Sequence, residues 1–321
     1  MLLLAGATAY VALFPLVAKS QLSYPDKPIK WVVPFPAGGG LDAISRVVAQ
    51  ETAPRLKQPI LVDNRTGAGG TIGTAFVAQS SPDGYTIMSI DNGSFTTAQH
   101  FYTLIPYSPP RDLRVVATLV RLPVVLVTGA NHVAKTYAEF DAFARARPGK
   151  INYGSVGAGN PLMVGMELLQ QRTNLKFQHV PYRAMTGVLT DLSTGEIDAA
   201  LVDFGSARPF IDSGKIRILA VATEQRLPLA PNSPTFDELG VKNLPISLWH
   251  SVAVPAKTPD AIVEKLAQAI QEAMLSPAVK SQMDSSGAQM FFKSGKVAAD
   301  YWRDQVAFWE PIVKPMNIKL D

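Results

Sequence analysis

Five glycine-rich loops contain the residues best suited to bind a ligand. They occupy residues 37–40, 67–70, 93–94, 157–160 and 185–187. Glycine permits positive φ angles and lets the backbone approach a ligand closely. Each loop precedes a predicted helix, so free backbone N–H groups and the positive end of the helix dipole point to one place. Any single loop is also compatible with an ordinary turn, but several helix starts facing one cleft would bind an anion without a buried Lys or Arg.

The loops do not match the known nucleotide-binding or nucleophile motifs. The dinucleotide fingerprint requires glycine where this sequence has Ile72 in one loop and Leu162 in another. Ser155 lies in the segment YGSVG, but Tyr153 stands where a nucleophile elbow requires glycine. These departures argue against a hydrolase or a nucleotide-using enzyme.

Acid–base and metal chemistry is also poorly supported. The histidines are His100, His132, His179 and His250, and no two of them lie at i, i+4. The chain has no cysteine, which excludes thiol nucleophiles, disulfides and Cys-ligated metals. Asp42, Asp91 and Asp203 lie near predicted strand ends, which leaves a carboxylate pair open, although Asp42 also suits a helix N-cap. We therefore expect no metal and no cofactor.

Alternating strands and helices must position these loops. The predicted strands are 29–35, 60–63, 86–90, 115–120, 124–128, 152–155, 177–180, 199–203, 218–222 and 247–254. The predicted helices are 43–56, 72–80, 137–147, 161–173, the segment up to 193, 259–274 and 297–309. This order predicts parallel sheets flanked by helices, in which ligands bind beyond the carboxyl ends of the strands. The predicted strands 115–120 and 124–128 lie on either side of Pro123, and they predict that the chain crosses from one α/β lobe to a second. The predicted strand 247–254 would carry the chain back.

Length and charge narrow the class of protein further. With 321 residues, the chain is long enough for two domains of about 150 residues each. Charged residues are only 17% of the total and the net charge is +4, with Lys and Arg scattered along the chain. Disorder, a coiled coil and a nucleic-acid partner are therefore not expected.

The N-terminal segment has the features of an export signal. Residues 1–18 carry no charged side chain, and their length suits the core of a signal peptide better than a membrane span. Ala18 and Ser20 are small residues at the −3 and −1 positions of a cleavage site. We expect residues 1–20 to be a cleaved signal peptide and the protein to be periplasmic; an uncleaved membrane anchor is the alternative.

Several segments together resemble one known family. They are YPDKPIKWVVPFPAGGGLD, VDNRTGAGGTIGTAFVAQSSPDGYTI, INYGSVGAGNP, VPYRAMTG, TDLSTGEIDAALVD and LWHSVAVPAKTPDAIVEKL. In this order they resemble the substrate-binding proteins of tripartite tricarboxylate transporters, also called Bug-type periplasmic receptors. The resemblance covers about residues 23–321. It implies a monomeric, non-enzymatic solute-binding protein that serves the membrane subunits of such a transporter.

The resemblance also implies an α/β, two-lobed type II periplasmic-binding-protein fold. Each lobe is expected to be a mainly parallel sheet flanked by helices, and a hinge allows Venus-flytrap closure. We expect lobe 1 to comprise residues 21–124 plus 250–321, and lobe 2 to comprise residues 125–249. A small carboxylate would bind between them.

Family members hold the carboxylate through backbone N–H groups, often with bridging waters. Carried over to this sequence, the lobe 1 site residues are Phe35, Ala37, Gly38, Gly39, Gly40, Leu41, Asp42, Gly67, Ala68, Gly69, Gly70, Ser94 and Phe95. Those of lobe 2 are Ser155, Gly157, Gly159, Asn160, Tyr182, Arg183, Met185, Thr186 and Asp203.

Three departures from the family pattern make the expected cleft more apolar. Leu41 replaces a small hydroxyl residue, Ala184 replaces a glycine, and the helix after Asn160 begins PLMVG where a histidine is common. The apolar candidates for the walls are Phe35, Leu41, Phe95, Met163 and Met185. We therefore expect a carboxylate with an apolar or aromatic body, such as an aromatic dicarboxylate.

Two questions remain open from the sequence. Arg183 could hold a second carboxylate as a bidentate fork, or it could be a surface arginine at the rim of the cleft. The receptor could also feed a signalling kinase rather than a transporter.

Overall fold

The structure is a computed structural model that describes residues 24–102, 104–157, 160–244, 246–317 and 319. The predicted signal peptide and the predicted site residue Gly159 lie outside the described residues. Within this part of the chain, no helix is both long enough and apolar enough to cross a membrane.

The described residues form most of the predicted strands and helices, together with several that were not predicted. The strands are β1 (Ile29–Val33), β2 (Ile60–Asn64), β3 (Thr86–Ile90), β4 (Leu113–Gly129), β5 (Ile151–Val156), β6 (Phe177–Tyr182), β7 (Ala200–Asp203), β8 (Ile216–Val221), β9 (Ser247–Pro255) and β10 (Gln289–Ser294). The helices are α1 (Gly40–Leu56), α2 (Thr71–Ala78), α3 (Ala98–Phe101), α4 (Pro109–Asp112), α5 (Tyr137–Arg145), α6 (Pro161–Thr173), α7 (Met185–Thr194), α8 (Phe204–Asp212), α9 (Asp260–Met274), α10 (Pro277–Ser286) and α11 (Gly295–Val313). The elements that were not predicted are β10, α3, α4, α8 and α10.

The strands make two lobes that share long crossing strands. Lobe 1 has the strand order β10-β4-β9-β3-β1-β2, while β7 and β8 pair with β4 in lobe 2 and β5 pairs with β6. The predicted parallel pairing is confirmed for β1 with β2 and β3, and for β5 with β6. The crossing strands β4 and β9 instead run antiparallel to their neighbours, because each one carries the chain back across the junction.

The expected strand break at Pro123 is wrong, because β4 is one strand of 17 residues. Pro123 is the last β4 residue paired with β9, opposite Ser247, and Val124 begins the pairing with β7. A proline cannot donate to a strand ladder, so it is tolerated where the partner strands change. The predicted lobe boundaries fall inside β4 and β9, and they stay a prediction.

Each lobe buries its own apolar core, and α11 contributes to both. In lobe 1, Trp31 and Ile44 pack with residues of α9 and α10 between the sheet and the helices. In lobe 2, Phe140 and Leu201 belong to the corresponding core. Trp302 in α11 is buried with lobe 1 residues, whereas Trp309 two turns later is buried with lobe 2 residues. The helix therefore connects the lobes alongside β4 and β9.

Candidate ligand-binding cleft

A cavity of about 360 Å³ lies where the two lobes meet. The loop 35–42 and Asp91 line it from lobe 1, and the starts of α6, α7 and α8 line it from lobe 2. Leu122 of β4 and Leu248 of β9 lie on the crossing strands. The cavity is thus at the carboxyl ends of β1, β3, β5 and β7, where an α/β sheet is expected to bind its ligand.

A second, larger cavity of about 830 Å³ lies elsewhere, beside the end of α11. It is lined by charges of both signs, including Arg172, Glu224, Asp237 and Lys242, and by no predicted site residue. Its size favours this cavity as a ligand site. Among the described residues, however, helix starts converge only on the smaller cavity. We therefore take the smaller cavity, called the cleft below, as the candidate site.

A network of hydrogen bonds around Asp42 holds the first glycine loop. The backbone N–H of Gly38 donates to Asp42 Oδ2 at 2.9 Å, and Arg46 Nε donates to the same oxygen at 2.9 Å. Asn64 Nδ2 donates to Asp42 Oδ1 at 2.9 Å and to the carbonyl of Phe35 at 3.0 Å. Gly38 has a φ of 86°, a left-handed conformation that favours glycine. The loop is therefore fixed by its own backbone and by side chains from α1 and β2.

The predicted N-cap role of Asp42 is wrong. The N-cap of α1 is Gly39, and Asp42 lies in the first turn, where its carboxylate accepts from the N–H of Gly38, the residue before the N-cap. Burial raises the pKa of Asp42, but the hydrogen bonds from Arg46, Gly38 and Asn64 outweigh burial and lower the pKa below its ordinary value. Asp42 is thus an ionised anchor of the loop.

Two of the four helix starts in the cleft have no side-chain cap. Asn160 caps α6 by accepting from Leu162 N at 2.7 Å, and Asp203 caps α8 by accepting from Ser206 N at 2.8 Å. No described side chain caps α1 at Gly39 or α7 at Ala184. The first N–H groups of α1 and α7 lack intrahelical partners, and they face the cleft from opposite lobes. Free N–H groups at the start of a helix are suited to bind an anion, which is the role that the glycine loops predict.

Two further carboxyl groups of the cleft are buried. Asp91 accepts hydrogen bonds from the backbone N–H of Ser94 at 2.9 Å and from its hydroxyl at 2.7 Å. Burial raises the pKa of Asp91 and of Asp203, and hydrogen bonds from Ser94 and Ser206 oppose this only in part. None of the described lining residues is Lys, Arg or His. Nor do the described residues include a group of three His, Cys, Asp or Glu side chains that could hold a metal.

Residues 44–318 match the model of the tripartite tricarboxylate transporter family receptor, TctC. The chain belongs to this family. The matched residues begin just after Asp42, so the placement of the first glycine loop in the site rests on the contacts described above.

Solved structures share the two-lobed fold. The periplasmic binding protein BugD is 28% identical, with a TM-score of 0.87 over 92% of this chain and 100% of its own. MatC from Rhodopseudomonas palustris, solved with malate, is 28% identical with a TM-score of 0.83 over 90% of this chain and 100% of its own. An R. palustris protein solved with adipate is 28% identical with a TM-score of 0.86 over 92% and 100%.

The structure of this TctC-family receptor brings half of the predicted site residues to the cleft. Those that line it are Phe35, Ala37, Gly38, Gly39, Gly40, Leu41, Asp42, Asn160, Met185, Thr186 and Asp203. Those that do not are Gly67, Ala68, Gly69, Gly70, Ser94, Phe95, Ser155, Gly157, Tyr182 and Arg183.

Residues outside the cleft mostly support its walls. A Cβ built on Gly70 would lie 2.8 Å from Ser94 Oγ and 3.2 Å from the ring of Phe35, so the second loop packs behind the first. A Cβ built on Gly157 would lie 3.9 Å from the backbone nitrogen of Gly69 across the junction. Ser155 Oγ lies 2.7 Å from His179 Nε2, a contact that joins β5 to β6.

Three of the candidates for ligand contact point elsewhere. Phe95 is buried against Trp302, with ring centroids 4.7 Å apart, and Met163 is buried in the lobe 2 core. The Tyr182 hydroxyl donates to Asp191 at 2.6 Å. Arg183 is exposed. It does not line the cleft, and whether it contacts a second carboxylate stays a prediction.

Sequence reasoning missed residues on both lobes. Asn64 and Arg46 hold the first loop, and only the i, i+4 spacing of Arg46 from Asp42 gave a signal. Ser206 was missed as a polar lining residue of lobe 2. The missed apolar lining residues include Leu122, Leu162, Leu189, Phe210 and Leu248. Their sequence pattern is that of ordinary core residues.

Proposed function

We propose that this chain is an exported receptor that binds a small carboxylate with an apolar body and delivers it to the membrane subunits of a tripartite tricarboxylate transporter. One observation carries the proposal. The uncapped starts of α1 and α7 face one cleft from opposite lobes, and no basic side chain is among its described lining residues. Backbone N–H groups then supply the attraction for an anion.

The related structures support a carboxylate as the anion. MatC contains malate and the second R. palustris protein contains adipate, and both share the fold over most of this chain. A carboxylate offers two oxygens that accept hydrogen bonds from N–H groups. One such group in contact with both lobes would hold them together.

The walls of the cleft support an apolar ligand body. Phe35 and Leu41 line it from lobe 1, and Met185, Leu189 and Phe210 line it from lobe 2. A volume of about 360 Å³ lies at the small end of the roughly 300–1,000 Å³ that ligand pockets occupy. A ligand of the size of a phenyl-substituted or branched short-chain acid suits this space.

Closure of the lobes provides the signal for delivery. A ligand that contacts both lobes binds the closed form better and shifts the population toward it. The crossing strands β4 and β9, with α11, are the elements that must bend. Membrane subunits in the same cell envelope would then bind the closed form.

A thermal-shift screen of the mature chain tests the proposal. Ligands that bind the folded state raise the melting temperature according to RT ln(1 + [L]/Kd). We expect monocarboxylates and dicarboxylates with aliphatic or aromatic bodies to raise it, and the matched amides and alcohols to leave it unchanged. A melting temperature raised by the amides as much as by the acids would contradict the proposal.

A further inference from the structure

Asp203 of lobe 2 lies directly beside the start of α1 in lobe 1. A Cβ built on Gly40, the first residue of α1, would lie 2.9 Å from Asp203 Oδ1. The same oxygen accepts from Ser206 N at 2.8 Å. A ligand carboxylate bound to the N–H groups of α1 would therefore lie next to the carboxyl group of Asp203.

Two neighbouring carboxylates, here that of the ligand and that of Asp203, repel each other strongly in a buried site. Asp42 is neutralised by Arg46 at 2.9 Å, but Asp203 has no ion pair with any described residue. Asp203 is also 6% exposed, so water screens its carboxyl group poorly, and burial raises its pKa because the charged form is disfavoured there. A ligand that places a hydrogen-bond donor between the two carboxyl groups removes the conflict.

Ser206 supplies a second polar group at the same place. Its hydroxyl is buried, lies beside the Asp203 carboxyl group to which it can donate, and belongs to a residue that lines the cleft. Asp203 accepts and Ser206 can donate or accept, which suits a hydroxyl or ammonium group of the ligand.

We propose that the ligand carries a hydrogen-bond donor, a hydroxyl or an ammonium group, on the carbon next to its carboxylate, and that Asp203 accepts from this donor. The inference rests on the proposed function and specifies its substrate class. The ligands are 2-hydroxy or 2-amino acids with an apolar body. A second carboxylate is disfavoured, because the described lining offers no cation and already holds Asp91 and Asp203.

Calorimetry with four acids of matched body tests this at neutral pH. The probes are 3-phenylpropionate, 3-phenyllactate, phenylalanine and phenylsuccinate, the chiral ones as both enantiomers. A hydrogen bond to a charged group contributes about 1.5–3 kcal/mol, which corresponds to roughly tenfold to 100-fold in affinity. We expect one enantiomer of phenyllactate or phenylalanine to bind at least about tenfold more tightly than phenylpropionate and phenylsuccinate.

The variant Asp203→Asn isolates the charge, since Asn also caps helices well. We expect the preference for the donor-bearing acid to fall to a few-fold or less, with an unchanged circular dichroism spectrum. The control Asp212→Asn removes a carboxylate from the exposed end of the same helix, where it pairs with Arg208, and should keep the full preference.

The outcomes distinguish this inference from the proposed function. Phenylpropionate or phenylsuccinate binding as tightly as the donor-bearing acids would overturn the inference and leave carboxylate binding intact. So would an undiminished preference in Asp203→Asn. Failure of every carboxylate in the thermal-shift screen and in calorimetry would instead contradict the proposed function, and the inference with it.

Discussion

The backbone N–H of Gly38 donates a 2.9 Å hydrogen bond to Asp42 Oδ2, and this bond folds the first glycine loop back onto the first turn of α1. Because it consumes the N–H of Gly38, the next N–H groups along the loop are the ones left to face the cleft. Asp42 is only 2% exposed, so its charge acts on the loop rather than on solvent.

Removal of this anchor should weaken ligand binding. Asp42→Ala leaves Gly38, Asn64 and Arg46 without their acceptor, and each hydrogen bond to a charged group is worth about 1.5–3 kcal/mol. We expect affinity for a carboxylate found in the thermal-shift screen to fall about tenfold or more by calorimetry. Asp42→Asn keeps one acceptor oxygen and should lose less. Unchanged affinity in Asp42→Ala would remove Asp42 from the loop mechanism.

The tight contact at Gly40 predicts a defect in closure. Gly40→Ala would place a methyl group 2.9 Å from Asp203 Oδ1 and 3.6 Å from Leu122 Cδ1, so either the Asp203 side chain or the lobes must shift. Overpacking of this kind costs about 1–3 kcal/mol, and we expect affinity to fall about tenfold by calorimetry.

The neighbouring glycine provides a matched control. A methyl group on Gly39 would meet only the carbonyl oxygen of Pro36, at 3.8 Å. The variant Gly39→Ala should therefore bind the carboxylate with nearly the affinity of the parent protein. If Gly39→Ala and Gly40→Ala lost affinity equally, the loss would come from replacing glycine at the start of α1 and not from the contact between the lobes.

A buried histidine predicts lower stability in acid. His250 Nε2 lies 3.0 Å from Ser89 Oγ, and burial lowers the pKa of His250 from 6.5 to about 3. Below about pH 6.5, His250 binds a proton in the unfolded chain, whereas in the folded protein it stays neutral down to about pH 3. Stability should therefore fall as pH decreases through this window.

The variant His250→Gln tests the assignment, because glutamine keeps a polar group and does not titrate. Urea unfolding at several pH values between 7 and about 4 should show a shallower loss of stability than in the parent, by up to one proton in the slope. An identical slope in the two proteins would assign the acid sensitivity to other groups, such as Asp42.

The exposed position of Arg183 predicts that it does not contact the ligand. Arg183→Ala should leave the affinity for monocarboxylates and dicarboxylates unchanged in calorimetry. A loss of about tenfold that is confined to dicarboxylates would restore the forked ion pair considered from the sequence.

The local pattern of the sequence was enough to predict most strands and helices, and the glycine loops at their junctions. Hydrophobic periodicity and glycine act over a few neighbouring residues, so β1, the first loop and α1 could be placed without tertiary information. The N-cap of α1 was misplaced because Asp42 satisfies a backbone N–H equally well from the first turn.

The role of Pro123 required knowledge of its partners. A proline within an apolar run predicts a break, yet here it coincides with the change from β9 to β7. Which strands lie on either side of a residue depends on segments far away in the chain. Asn64 is a similar case, since only the pairing of β1 with β2 sets it opposite Val33 and within reach of Asp42.

By itself, the sequence determined the alternating strands and helices and the glycine-rich helix starts, because these follow from interactions between near neighbours in the chain. Only the tertiary structure decided which apolar side chains line the cleft and which fill the core. Leu41 and Phe95 have the same preference for leaving water, yet one faces the cleft and the other packs on Trp302. It also placed Asp203 against Gly40, since that contact joins two lobes whose residues are far apart in sequence.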